Sequence, residues 1–199
     1  KGKIGTVFME NRGINMLGAM YPLINELEKV SRNLPYNSML GNSSLNIKDV
    51  RINGGRDVTN YKEFKLVVDR YFVPEEDTQG ILDRARRIAR QVYKGQPEVS
   101  VSTALAEQKV QNLNGAMNVV KKEFKPWAMT AHDSFVMCSF EALKEMRSDA
   151  GIGYWKKTIT DGSYTFAELN IPTIGFGPGS EYRNETKTKQ PMVNDIERA

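Results

Sequence analysis

Few folds accommodate the order of elements that the sequence predicts for residues 1–106. Strands are indicated where β-branched and aromatic residues concentrate or side chains alternate in polarity, and helices where apolar residues recur every three or four positions. Strands are predicted in this way at residues 3–9, 45–52, 64–72 and 99–103, with a helix after the first strand and another after the third. This β-α-β-β-α-β order is typical of the ferredoxin-like fold, an α+β fold whose two helices cover one face of an antiparallel sheet.

Individual residues refine these predicted elements. Pro22 lies inside the first helix, where its missing N–H is expected to kink the axis. A bulge is expected near Asp49, and the turn residues at 53–57 predict that the second and third strands form an antiparallel hairpin. Residues 74–77 (Pro-Glu-Glu-Asp) are expected to form the first turn of the second helix, because proline and acidic side chains favour that position.

Beyond the fourth strand the pattern predicts a connection and then a second domain. Residues 107–127 show no clear period and are expected to be irregular. Residues 128–199 alternate between helices and strands, with the strands predicted at 154–158 and 172–176. Because two strands do not make a stable α/β sheet alone, this domain is expected to be part of a larger one.

Two helices are predicted in the second domain. The first is capped by Ser134 and runs through Glu145. Its inner side is expected to be apolar at helical spacing, with Phe135 or Val136, Cys138 or Ser139, Ala142, Leu143 and Met146. The second helix is short, at residues 164–169, and is expected to end at Asn170.

A glycine-rich loop at residues 177–179 follows the last predicted strand. Open α/β sheets bind ligands at such loops, because backbone N–H groups there face the ligand. The short helix before that strand is preceded by residues 160–162 (Thr-Asp-Gly). An ordinary αβ unit with a tight turn is the alternative, and Asp161 would then cap the helix through the N–H of Ser163 or Tyr164.

Composition and charge exclude several classes of function. The net charge is only +4, from 28 basic and 24 acidic residues. The densest basic cluster lacks interleaved aromatic residues, so it predicts a solvated helix face and no nucleic-acid partner: Arg84, Arg86, Arg87 and Arg90. No apolar run approaches the roughly 20 residues that span a membrane, and the first residues do not resemble a signal peptide. With Cys138 as its single cysteine, the chain is expected to be cytoplasmic, without a disulfide or a membrane partner.

Three stretches in this order resemble the zinc-dependent aminoacylase and carboxypeptidase superfamily, which includes acetylornithine deacetylase, succinyl-diaminopimelate desuccinylase and glutamate carboxypeptidase. They are residues 2–15, with Gly-Lys at the start and Gly-Ile-Asn at the end, residues 68–70 (Val-Asp-Arg), and residues 160–179, which contain Thr-Asp-Gly and Ile-Pro-Thr-Ile-Gly-Phe-Gly-Pro-Gly. The subgroup of selenium metabolism-linked hydrolases looks most similar, and Pro22 fits it.

The resemblance implies a domain organisation and a reaction. Residues 1–106 would be a ferredoxin-like lid that forms a homodimer, residues 107–127 a connection, and residues 128–199 the C-terminal part of the catalytic α/β domain. The N-terminal catalytic segment, with the remaining zinc ligands and a general-base glutamate, would precede the lid. The complete enzyme would hydrolyse an amide or peptide bond of a small N-acyl amino acid or peptide by a zinc-activated water.

The resemblance also assigns roles to single residues. Thr6 stands where the family has a lid histidine, and a threonine stabilises an oxyanion less because it carries no charge. Glu185 stands at the C-terminal histidine ligand, and a carboxylate still binds zinc. Asp161 is implied to be catalytic. The implied substrate-binding residues are Asn60, Arg70, Gly177 and Gly179.

Two functions therefore stay open. The first is the metal-dependent hydrolase, and the alternative is a non-catalytic dimerisation or scaffold protein whose metal site has degenerated, so that this chain alone binds no zinc. The only histidine, His132, does not fall on a ligand position of the family. Arg70 is likewise open, since a guanidinium suits a substrate carboxylate and equally an ion pair with Asp69 or a glutamate.

Overall fold

A computed structural model describes residues 16–54, 61–97, 99–146, 151–155 and 159–176 of the chain. It shows a mixed α and β protein with small antiparallel sheets. In chain order the elements are α1 (Met16–Ser31), β1 (Tyr36–Asn37), β2 (Gly41–Asn42), β3 (Ser44–Gly54), β4 (Tyr61–Tyr71), α2 (Thr78–Val92), β5 (Glu107–Gln111), β6 (Met117–Lys121), α3 (Ser134–Met146) and α4 (Gly162–Thr165). No helix in these described ranges is both long enough and apolar enough to cross a membrane.

The chain divides into two compact units. The first comprises Lys1–Pro35 and Ser43–Glu123, and the second comprises Tyr36–Asn42 and Phe124–Ala199. The predicted division at residues 106 and 127 stays a prediction.

The core of the first unit lies where α1 packs on the sheet of β3 and β4 and on α2. Ala19, Leu23 and Leu27 are buried at helical spacing on α1, so one stripe of this helix faces inward. The helix contains Pro22, as expected from the sequence, and ends at Ser31. Burying this stripe against the sheet stabilises α1 more than its intrinsic helix propensity does.

β3 and β4 form the predicted antiparallel hairpin, and the predicted bulge is confirmed. Ile47 pairs with Val68 and Asp49 pairs with Val67, so Lys48 is an extra residue in β3. The extra residue changes which side chains of β3 face the core, because side chains alternate between faces. As a result one face stays apolar on both sides of the bulge, and the core-packing residues of the hairpin are Leu45, Ile47, Phe64, Leu66 and Val68.

The first turn of α2 differs from the prediction. Residues 74–77 precede the helix, which begins at Thr78. Asp77 has extended backbone angles (φ −124°, ψ 156°), and its carboxylate accepts a 2.8 Å hydrogen bond from the N–H of Gly80. An extended residue whose side chain bonds the third following N–H is an N-cap, which explains why the acidic run ends outside the helix.

The fourth predicted strand is not observed. Residues 99–103 form no ladder within the described part of the chain. A strand needs a hydrogen-bonded neighbour, and the predicted first strand, residues 3–9, lies outside the described residues. The α+β class is thus confirmed, while the β-α-β-β-α-β order is observed only for its four middle elements, α1, β3, β4 and α2.

The stretch predicted to be irregular contains a hairpin. β5 and β6 pair antiparallel, with Glu107 opposite Lys121 and Gln111 opposite Met117. The turn is closed by the N–H of Asn112, which donates to the carbonyl of Ala116 at 2.8 Å. Gly115 has a φ of 83°, and its Asn-Gly pair with residue 114 is a hairpin signal that the weak period concealed.

Helix α3 of the second unit exposes more of its side chains than the sequence predicts. None of the 13 residues of α3, all of which the structure describes, is buried, and Met146 is 83% exposed. Asp133 caps this helix in place of Ser134, because its carboxylate accepts from the N–H of Phe135 at 2.9 Å. The predicted inward face of α3 is thus not buried by the described residues, and no other described helix or strand contacts α3.

Neither predicted strand of the second unit is observed. Residues 154–155 and 171–176 have no ladder partner in the described ranges, and residues 156–158 lie outside them. The short helix is confirmed as α4, which begins two residues earlier than predicted and continues as turns to Leu169. Asn170 ends it in a left-handed conformation, with a φ of 54°, which asparagine tolerates better than most residues.

Candidate functional site

Most of the predicted site residues lie outside the described residues, namely Thr6, Asn60, Gly177, Gly179 and Glu185. Asp161 and Arg70 are described. Asp161 belongs to the second unit and Arg70 to the first.

The turn that carries Asp161 is built against one aromatic side chain. Gly162 is buried, and a Cβ at this position would lie 2.0 Å from Cε2 of Trp127. Real carbon atoms do not approach so closely without bonding, so the indole ring requires glycine here. Close packing against Trp127 therefore explains why the third residue of the Thr-Asp-Gly turn is a glycine.

The first residue of the turn is also held by Trp127. The indole Nε1–H donates a 3.1 Å hydrogen bond to Oγ1 of Thr160. Phe166 lies at the other end of α4. Its ring is 6.0 Å from the ring of Trp127 and tilted by 46°, a favourable arrangement for an aromatic pair. Trp127 thus fixes the turn before Asp161 and the helix after it.

Asp161 itself does not cap α4 with its side chain. Its backbone carbonyl accepts from the N–H of Tyr164 at 2.8 Å and of Thr165 at 2.9 Å, but its carboxylate makes no capping bond to the described helix. The cause is its helical backbone (φ −61°, ψ −17°), since capping requires an extended one. The capping alternative is wrong, and Asp161 presents an exposed carboxylate on a fixed turn.

The chain after α4 folds back onto the helix. The N–H of Ile171 donates to the carbonyl of Thr165 at 2.8 Å, and the hydroxyls of Thr165 and Thr173 lie 2.8 Å apart. The N–H of Thr173 donates to the sulfur of Met129 at 3.3 Å. These bonds set the direction in which the chain leaves the turn towards residues 177–179.

Arg70 lies at the end of β4, on the apolar face of the hairpin and opposite Leu45. Its Nη2 forms an ion pair with Glu76, and the two side chains are only 12% and 14% exposed. Its Nη1 donates to the carbonyl of Ser44 at 3.1 Å and also to the carbonyl of Tyr71. Arg70 therefore joins the start of β3, the end of β4 and the loop before α2.

Glu76 completes this buried network. Its second carboxylate oxygen accepts from the hydroxyl of Ser43 at 2.7 Å. Burial lowers the pKa of the Arg70 guanidinium, and the Glu76 carboxylate acts in the opposite direction. An arginine side chain stays protonated in proteins, so Arg70 keeps its positive charge in this buried network. Asp69, the other candidate partner of Arg70, pairs with Lys48 at 2.7 Å on the exposed face.

Sequence reasoning missed the residues that organise both places. Trp127 lies 34 positions before Asp161, and no local pattern connects them. Glu76 was assigned to the first turn of a helix, where an acidic side chain needs no specific partner. A possible signal was the Gly in Thr-Asp-Gly, because a glycine inside a helix start often marks close packing.

The described residues do not supply a metal centre. No group of three histidine, cysteine, aspartate or glutamate side chains lies close enough to hold an ion in the ranges that the structure describes. His132 is exposed. The proposed ligand Glu185 lies outside these ranges, so the zinc prediction stays a prediction.

No protein-family model matches the chain. The chain is similar to the uncharacterized protein YgeY of Escherichia coli strain K12, with 24% identity over 170 residues. YgeY of Escherichia coli O157:H7 matches at the same identity over the same length. Each match covers 85% of this chain and 41% of the relative. The chain therefore spans about two fifths of the length of the curated relatives that it matches.

Proposed function

We propose that this chain provides the lid and the C-terminal catalytic part of a metal-dependent amidohydrolase or peptidase. Its substrate would be a small N-acyl amino acid or peptide, cleaved at an amide or peptide bond. The observation that carries the proposal is the carboxylate of Asp161, which is exposed on a turn held by Trp127 and has no capping role in the described helix. A carboxylate that is exposed on a fixed turn and makes no capping bond to the described helix is available for hydrogen bonding to a ligand.

The first unit supports the lid. Its α1, β3, β4 and α2 have the order of the middle of a ferredoxin-like domain, with α1 packed on the hairpin and on α2, and one apolar cluster contains side chains of all four elements. The proposal adds residues 3–9 and 99–103 as the outer strands. A lid of this kind forms a homodimer in the proposed enzyme, which would act in the cytoplasm.

The second unit supports an incomplete catalytic domain. α3 buries none of its described residues, and Trp155, Ile159 and Phe176 are 47%, 62% and 62% exposed. Apolar surface in this amount is normally covered by another part of a protein. We expect that cover to come from the catalytic segment that precedes the lid in the proposed enzyme.

The proposed chemistry divides between the metal and this chain. A bound zinc would supply an activated water, with Glu185 as the proposed ligand from this chain. Asp161 would accept a hydrogen bond from the reacting groups or from a residue that orients them. The glycine loop at residues 177–179 would offer backbone N–H groups to a substrate carboxylate.

The second candidate function is a non-catalytic dimerisation or scaffold protein, and Arg70 favours it. Its guanidinium is engaged by Glu76 and by two backbone carbonyls. A guanidinium held in this way stabilises the fold and has fewer donors left for a substrate. In this alternative the lid would be retained for assembly alone.

Zinc content and hydrolytic activity, both measured on the full-length gene product, distinguish the two functions. We expect bound zinc by elemental analysis and hydrolysis of N-acyl amino acids, with Asp161→Asn lowering kcat about a hundredfold, as the loss of one preorganised active-site hydrogen bond does. Glu141→Gln, an exposed acid of α3, is the matched control and should leave the rate unchanged. A protein without zinc or hydrolysis, in which Glu185→His restores neither, would support the scaffold.

A further inference from the structure

The hairpin of β5 and β6 is a surface that the described part of the chain leaves uncovered. Every residue of both strands is exposed. Its apolar side chains are exposed by 37% to 111%, and they are Val110, Leu113, Met117, Val119 and Val120. A two-stranded hairpin is only marginally stable in water by itself. Exposed apolar side chains on such an element indicate an interaction surface.

β5 offers an edge to which another strand can bind. Among the described residues β5 pairs with β6 alone, so its outer N–H and C=O groups are available to a partner strand. The hairpin ladder continues for one more bond, from the N–H of Lys122 to the carbonyl of Ala106 at 2.7 Å. The edge therefore extends from Ala106 to Gln111.

The charges along β5 are complementary to those of a second copy of the same strand. Two copies related by a two-fold axis run antiparallel across their shared edge. When the axis passes Gln108, Glu107 lies opposite Lys109 of the partner subunit, and Lys109 lies opposite Glu107 of the partner subunit. Ala106 then lies opposite Val110 of the partner subunit. Opposite charges directly across an antiparallel pair stabilise it.

β6 does not offer this complementarity. Within Met117–Lys121 the only charged residue is Lys121, so no register of β6 against itself pairs opposite charges. A register of β5 centred on Lys109 is also disfavoured, because it places two lysines directly opposite each other. The charge pattern thus selects one strand and one register.

We propose that the outer edge of β5 binds β5 of a second copy of this chain, antiparallel and centred on Gln108. The product is a four-stranded sheet in the order β6, β5, β5, β6 across a two-fold axis. This inference rests on the proposed homodimer, to which it adds a contact made by β5, just after the proposed lid, and it is independent of the proposed hydrolysis.

A charge-reversal experiment tests the interface in the full chain. Sedimentation equilibrium at low salt is measured for the wild type, for Glu107→Lys, for Lys109→Glu and for an equimolar mixture of the two variants. Either variant alone turns both cross-copy pairs into like charges, so we expect its dissociation constant to rise about tenfold. The mixture should dimerise like the wild type, because a heterodimer has opposite charges at both pairs.

Native mass spectrometry with one variant ¹⁵N-labelled should then show mainly heterodimers in the mixture. Lys122→Glu and Glu123→Lys are the matched controls, since they make the same charge changes at exposed positions just beyond the β6 ladder. The proposal is overturned by a wild type that stays monomeric at tens of micromolar, by variants that dimerise normally, by controls that weaken the dimer equally, or by a mixture without excess heterodimer. Hydrolysis by the wild type would be unaffected by any of these results.

Discussion

The hydroxyl of Tyr93 donates a 2.7 Å hydrogen bond to the backbone carbonyl of Ala19. Tyr93 is the C-cap of α2, and Ala19 lies one turn before Pro22 in α1. Both residues are buried, so this bond joins the end of one helix to the proline-containing turn of the other. It fixes the packing of α1 against α2 at a point where the ladder of α1 lacks the N–H of Pro22.

Removing this hydroxyl should lower stability at neutral pH and change its dependence on alkaline pH. Burial raises the pKa of Tyr93. The stability that it contributes is thus fully present below the unfolded-state pKa of about 10 and is lost as pH rises towards the folded-state pKa. We expect Tyr93→Phe to cost about 1 kcal/mol at pH 7 and to flatten the alkaline decline, as measured by urea unfolding between neutral and alkaline pH. Tyr21→Phe, at a side chain 69% exposed, should change neither quantity.

The ion pair between Arg70 and Glu76 should be far more important for folding than the exposed pair nearby. Glu76→Ala leaves a guanidinium almost without solvent contact and without its counter-charge, which costs about 3 kcal/mol or more. Asp69→Ala breaks the exposed pair with Lys48, whose side chains are 57% and 66% exposed, and should cost less than about 1 kcal/mol. Equal losses in chemical denaturation of the two variants would contradict the assignment.

A side chain at position 162 should destabilise the second unit. Gly162→Ala places a methyl group inside the ring of Trp127, and overpacking of this kind costs about 1–3 kcal/mol. Gly175→Ala is the control, because nothing lies within 4 Å of its added Cβ. Combining Gly162→Ala with Trp127→Leu should cost less than the sum of the two single changes, since both disturb one contact. If the stability costs of the two single changes simply add in the double variant, the methyl group at position 162 does not act through the Trp127 ring.

Removing the carboxylate should lower stability at one of two aspartates at helix starts and leave it almost unchanged at the other. Asp77→Ala loses the bond to the N–H of Gly80 and should cost about 1 kcal/mol. Asp161→Ala loses no capping bond in the described helix and should change stability by less than about 0.5 kcal/mol. Thermal unfolding of both variants checks the difference, and a large loss at Asp161 would mean that its carboxylate has a structural partner.

Sequence reasoning succeeded where a single local rule decides the structure. The hairpin of β3 and β4 follows from β-branched runs around a turn, and the end of α4 follows from Asn170, which tolerates a positive φ. It was less accurate at the start of α2, where an acidic run suits both a first turn and an N-cap. Asp77 is the N-cap, and Glu76, just before it, pairs with Arg70, which only the fold brings near.

The candidate site was less predictable than the fold, because its geometry depends on contacts distant in sequence. Thr160, Asp161 and Gly162 were identified as a motif, but their conformation is set by Trp127. The predicted strands at 99–103 and 172–176 failed for a related reason. A strand is stabilised by hydrogen bonds to a neighbouring strand. An apolar run in the sequence does not show which segment, if any, will pair with it.

The extra residue at Lys48 divides β3 into two segments of opposite phase. Before it, odd-numbered residues such as Leu45 and Ile47 face the core, and after it the even-numbered Val50 and Ile52 lie across from Leu66 and Phe64. Because Lys48 has no partner in β4, deleting it would leave Asp49 opposite Val67 and Val50 opposite Leu66, and would turn β3 into a regularly alternating strand. A related chain that lacks this residue can therefore keep the same sheet and the same apolar face, whereas an insertion or deletion at a paired position of β3 would move the apolar residues beyond it to the other face.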